Sequence, residues 1–143
     1  INMHCAAADG YFQVNFRDGS TAYDATKTTT FFRAQHSEGG SGAEIGYQTS
    51  DDLAQSTGVQ RISVPTGNDN DTSLSGTLQL FSPSSTTFVK HFISNVNDKD
   101  MSHYSVNCFM AGYCNVTAAI DGVQFSYSTG NIQSGTIKMY GIK

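Results

Sequence analysis

Apolar and polar residues alternate with a period of two along much of this 143-residue chain, the spacing of strands that bury one face. Tyr11 to Arg17 puts Phe12, Val14 and Phe16 on one face, and Asp18-Gly19-Ser20 then turns the chain. Thr28 to Ser37 reads as a strand in which adjacent Phe31 and Phe32 send one ring outward or mark a bulge. Glu38 to Gly42 is a loop, and Glu44 to Thr49 a short strand. Ser50 to Thr57 predicts one helical turn capped by Ser50 or Asp51, without a full amphipathic repeat.

The second half continues the pattern. Val59 to Val64 is a strand ended by Pro65, and Thr66 to Thr72 a polar loop. Leu74, Gly76, Leu78 and Leu80 share a face of the next strand, which runs to Phe81. Ser82 to Ser85 is a turn. In the strand Thr87 to Ser94, Phe88, Lys90, Phe92 and Ser94 oppose Val89, His91 and Ile93. Asn95 to Asp100 reads as a second polar loop, and Tyr104–Met110 and Gly112–Thr117 as strands broken at Gly112. Val123–Tyr127 and Thr136–Tyr140 predict a closing hairpin around Ser128–Asn131, with Gly130, Gly135 and Gly141 at turn, bulge and strand end. Eight to ten short strands with no repeat or linker predict one domain over 1–143: all-β, an antiparallel β-sandwich of jelly-roll type.

Composition agrees. Charged residues make up 14% of the chain, against about 25% in ordinary soluble domains. Glu occurs only at 38 and 44, and Leu only at 53, 74, 78 and 80, which disfavours helices. The net charge is −4 with Lys and Arg scattered singly, so no phosphate-reading face is expected and nucleic acid is not a predicted partner. No apolar run approaches the roughly 20 residues of a membrane span, so no membrane insertion is expected. The chain opens at Ile1 as if inside a strand or loop, and residues preceding it are expected. Of Cys5, Cys108 and Cys114, a Cys108–Cys114 bridge across a hairpin is one reading. Three reduced thiols acting as small core residues is the plainer one.

Little chemistry stands out. His4, His36, His91 and His103 form no metal-binding spacing, though a sandwich can bring His36 and His91 together from separate strands. Asn68–Asp71 and Asn95–Asp100 offer oxygen ligands without the EF-hand spacing, and such residues are ordinary turn formers. There is no nucleophile elbow, no marked carboxylate pair and no phosphate loop. The sequons at Asn70 and Asn115 are expected by accident in a chain this rich in Asn and Thr. No cofactor and no metal site are predicted, and a small hydrolase is the least favoured reading. Sugar stacking without Trp would fall to exposed Tyr, with Tyr23 and Tyr47 the candidate glycan contacts.

The segment Phe81-Ser-Pro-Ser-Ser-Thr-Thr-Phe-Val-Lys-His-Phe92 resembles one in virion proteins of tailed phages from marine hosts, including phages of cyanobacteria. Gly112-Tyr113 through Ala118-Ala-Ile120, Gly130-Asn-Ile132, Ser134-Gly-Thr-Ile137 and Tyr140-Gly141 resemble the ending of the same proteins. Phe16-Arg-Asp-Gly-Ser20 with Tyr23-Asp24 is similar to their early strand and turn. The resemblance implies a non-enzymatic virion component that decorates or cements the capsid, or sits in a tail appendage. It also implies self-association, expected as a homotrimer, with other virion proteins as partners. The alternative expectation is a carbohydrate-binding module for host surface glycans.

Overall fold

Ten strands form in the computed structural model, which describes residues 1–142. They are β1 (Asn2–Cys5), β2 (Gly10–Arg17), β3 (Lys27–Ser37), β4 (Ala43–Tyr47), β5 (Gln60–Thr66), β6 (Ser73–Leu80), β7 (Lys90–Lys99), β8 (Tyr104–Cys114), β9 (Gly122–Tyr127) and β10 (Ile132–Thr136). A large sheet of seven strands runs β10-β1-β6-β7-β8-β3-β4, and a small sheet of three runs β5-β2-β9. Every pairing is antiparallel. The product is the antiparallel β-sandwich that the alternation predicts.

β7 shows the physical rule most plainly. Lys90, Phe92, Ser94, Val96 and Asp98 point into the sandwich, and His91, Ile93, Asn95 and Asn97 point out. The predicted loop at Asn95–Asp100 is therefore mostly strand. Its asparagines fall on the solvent face, and Val96 and Asp98 keep the buried series going. The strand begins at Lys90 rather than Thr87, which leaves Phe88 exposed. The core joins Phe12, Val14 and Phe16 of β2 and Ile62 and Val64 of β5 to Phe31, Phe92, Val96, Val106, Cys108 and Met110 of the large sheet. Phe31 faces in and Phe32 out, without a bulge.

β8 is also unbroken through Gly112. A Cβ there would stand 2.6 Å from the Thr28 carbonyl and 3.1 Å from the Phe92 ring, so the glycine permits close packing inside a strand. Continuity removes the Cys108–Cys114 bridge. Six positions of extended strand separate the two by about 20 Å, far beyond disulfide reach. All three cysteines are free and buried. Pro65 lies within β5 rather than ending a strand, which is tolerated because β5 is an edge of the small sheet. The predicted helical turn is a single 3₁₀ turn, Thr49–Asp51, with no side-chain cap. Asp51 instead accepts a 2.8 Å bond from the Arg61 guanidinium.

The predicted closing hairpin does not form. β9 pairs with β2 in the small sheet and β10 with β1 in the large one, so Ser128–Asn131 carries the chain between sheets. The Ser128 amide donates to the Tyr11 carbonyl and the Ala6 amide to the Asn131 carbonyl, which fixes the crossing at both sides. Gly130 takes φ +73° there, and a Cβ would meet that of Ala7 at 2.6 Å. Residues 137–142 leave β10 with no strand pairing.

Candidate functional site

Outward positions of four neighbouring strands build an apolar band on the solvent face of the large sheet. Register sets its rows. Phe32 of β3 lies opposite Phe109 of β8, which lies opposite Asn95 of β7. The next row holds Thr30, Ala111 and Ile93, and the one after it Thr28, Tyr113 and His91. On the edge strand β4, Tyr47 pairs with Phe32 and Ile45 with Ala34. These side chains face out because their neighbours in sequence face in, so the band is a consequence of strict period-two alternation.

Small Ala111 makes the middle of the band low. Two adjoining shallow clefts, of about 240 and 370 Å³, share Thr30, Ile93 and Ala111. Phe32 and Phe109 flank one, stacked with centroids 4.9 Å apart and planes 11° off parallel. His91 and Tyr113 flank the other, tilted at 5.9 Å. Ile93 remains 48% exposed and Ile45 80% exposed, and it is contiguous apolar surface of this kind, not single exposed residues, that marks contact sites. The lining is chiefly carbon, with Thr28, Thr30, Asn95 and His91 supplying the polar edge.

The candidate glycan residues are not brought together. Tyr47 stands at the margin of this band, where the Asp52 carboxylate raises its phenol above the usual pKa. Tyr23 lies in the β2–β3 loop beside the small sheet, against Gly122 and under the Arg17 guanidinium at 5.5 Å. Arg17 also pairs with Asp121 at 2.9 Å, which holds that carboxyl below the ordinary range. His36 and His91 share the outer face of the large sheet, but their β8 partners are Ser105 and Tyr113, about 27 Å apart along the strand. Asp69 and Asp71 serve local bonds: the Asp69 carbonyl accepts from Thr72 Oγ1, and Asp71 pairs with Lys99 at 3.1 Å. Asn95 to Lys99 point alternately to opposite faces and cannot form one oxygen cage. Among the described residues no group of three His, Cys, Asp or Glu is placed to hold a metal. No described helix is long and apolar enough to cross a membrane.

Sequence reasoning places one ring of Phe31 and Phe32 outward but does not single out Phe32, Phe109, Ile93 or Tyr113 as a shared surface, because their strands' register is not visible in the sequence. The usable signal was the double Phe at 31–32, which forces one ring outward, and Ile93 among the outward positions of its strand.

The interior holds an unusual set of ionisable groups. Lys27 and Lys90 are fully buried on either side of Cys114 in register. Lys27 Nζ donates to Asn15 Oδ1 at 2.5 Å and to the Ala25 carbonyl at 2.7 Å, which ties β3 to β2 across the sandwich. Burial lowers its pKa to about 8. Lys90 Nζ donates to the carbonyls of Phe88 and Val116. Asp98 accepts from Thr66 Oγ1 at 2.9 Å, has no partner for Oδ1, and is pushed by burial up to about 7. These groups are enclosed in the core, away from the outer face of the large sheet. No protein-family model, curated protein or solved structure matches the chain.

Proposed function

We propose that this domain is a structural or attachment component of a phage virion, acting by surface contact, with the outer face of the large sheet as its contact surface. The observation that supports this most is the apolar band of Phe32, Ile93, Phe109, Ala111 and Tyr113 on the central strands, held on a rigid scaffold. Its mainly carbon lining suits protein packing, where a second copy or a neighbouring virion protein covers the band. The phage-protein resemblance, low charge and polar loops agree with a particle-surface role, capsid decoration ahead of a tail appendage, and with self-association as a homotrimer.

Light scattering of the purified chain should find an oligomer, and labelled antibody should place it on virions. Ile93→Asp with Ala111→Arg should return it to monomer with its circular dichroism unchanged. A strictly monomeric chain that binds neither particle nor host envelope sinks this reading. A glycan-binding role is the second reading, favoured by the aromatic pairs on both sides of Ala111 with Tyr47 at their margin. It predicts saturable binding on a host-glycan array, weakened by Tyr47→Ala and Tyr113→Ala and unaffected by Tyr23→Ala. An array with no hits removes it.

A further inference from the structure

β4 ends the large sheet with one edge unpaired. Its pairing with β3 decides which groups that edge offers. The Gln48 amide donates to the Phe31 carbonyl, and the Ser37 amide donates to the Gly42 carbonyl. In an antiparallel ladder every second residue turns its backbone groups to the same side. Gly42, Glu44, Gly46 and Gln48 therefore face β3, and the amides and carbonyls of Ala43, Ile45 and Tyr47 face the open edge. The side chains of Ala43, Ile45 and Tyr47 stand on the outer face, beside His36, Ala34 and Phe32 in register.

Other edges carry features that discourage pairing. β5 holds Pro65 and a register shift against β2. β10 holds a register shift against β1 and Gly135 at φ +145°. β4 has no proline, no lysine, no shift in register and no positive φ within it.

The strand also matches itself when reversed. With Ile45 opposite Ile45 of a second, antiparallel copy, Ala43 meets Tyr47 and Glu44 meets Gly46. Centring the pair one residue earlier would set Glu44 against Glu44, and one residue later would carry Ala43 past the end of the facing strand. On the inward face each Glu44 then enters the row that holds Gly46 and Arg33 of the other copy. Arg33 makes no ion pair among the described residues. Glu44 accepts a 3.3 Å bond from Gln35 and pairs with no cation among them. Gly46 places no side chain between the two charges. Two strand spacings, about 10 Å between Cα atoms, lie within the joint reach of an arginine and a glutamate.

We propose that two copies of this chain pair antiparallel through β4, centred on Ile45, with Glu44 of each copy reaching Arg33 of the other. The contact joins the two large sheets edge to edge and leaves both outer faces open on the same side. It thus goes beyond the outer-face contact and does not depend on it. One strand pair of this length buries well under the roughly 1,200 Å² of a lasting interface. The pairing is therefore weak between free copies and strengthens where copies are already held together.

The test puts a thiol at the centre of the pair. The native cysteines are buried, so Ile45→Cys supplies the reactive one. Opposed residues that exchange both backbone bonds lie about 5.5 Å apart at Cα, within disulfide reach. Under mild oxidation with diamide at high protein concentration, Ile45→Cys should form a covalent dimer. Ala43→Cys, which meets Tyr47 rather than itself, should not. Arg33→Glu or Glu44→Arg in the Ile45→Cys chain should each lower the dimer yield about threefold, and the two together should restore it. The set is run with the native outer face and again with Ile93→Asp and Ala111→Arg, and the same pattern is expected in both, so this contact and that of the outer face fail separately. Absence of the Ile45→Cys dimer overturns the proposal, as does an equal yield from Ala43→Cys. A dimer confined to the native outer face, or charge reversals without effect or without mutual rescue, overturns it as well.

Discussion

At Gly112 a hydrogen stands where any side chain would press on the Thr28 carbonyl at 2.6 Å. Gly112→Ala is expected to cost about 1–3 kcal/mol, read from the urea midpoint. Asp98 makes a different demand. Its carboxyl titrates near 7 when folded and near the ordinary value of about 4 when unfolded. Between those two pH values the folded state holds the extra proton, so stability falls as pH rises through the window and levels off above it. Asp98→Asn should flatten that slope and raise the melting temperature at pH 8 by roughly 5 °C, with little change at pH 4. The thiols give a third expectation. Burial pushes Cys108 up to about 12 and Cys114 up to about 11, and all three cysteines are enclosed. A thiol reagent should find none of them in the native protein and all of them in denaturant.

Strand by strand, the period-two signal was legible wherever one face meets the core. β2, β3, β6 and the first half of β7 follow the sequence closely, because Phe12, Val14, Leu74 and Phe92 mark the buried face without ambiguity. The misread segments share a cause. Asn95–Lys99 looked like a loop because turn residues also serve on a solvent face, and only the pairing with β6 and β8 tells the two apart. Gly112 looked like a break because the sequence does not reveal how near Thr28 and Phe92 come. The closing hairpin failed for a topological reason. Two strands joined by a short turn usually pair, yet here each is claimed by a strand from the beginning of the chain. The apolar band was the least legible feature. It depends on which outward residues of β3, β7 and β8 fall in the same row, and register between distant strands is not written in either one alone.

On the scale of the molecule, the connections decide when the sandwich can exist. β1 and β2 are made first, yet they pair with β10 and β9, more than a hundred positions later. During synthesis both early strands must wait with bare edges, while β6, β7 and β8 can zip as consecutive hairpins. This topology predicts assembly from the middle of the chain outward, and neither sheet is complete until β9 and β10 have left the ribosome. Chain closures of that span are slow, and waiting edges invite pairing with neighbouring nascent chains. A ribosome stalled before residue 122 should carry a protease-sensitive chain, whereas one stalled far enough beyond residue 136 to free β10 should carry a resistant one. The time those two strands spend with an unpaired edge would then set what fraction of newly made chain reaches the native state.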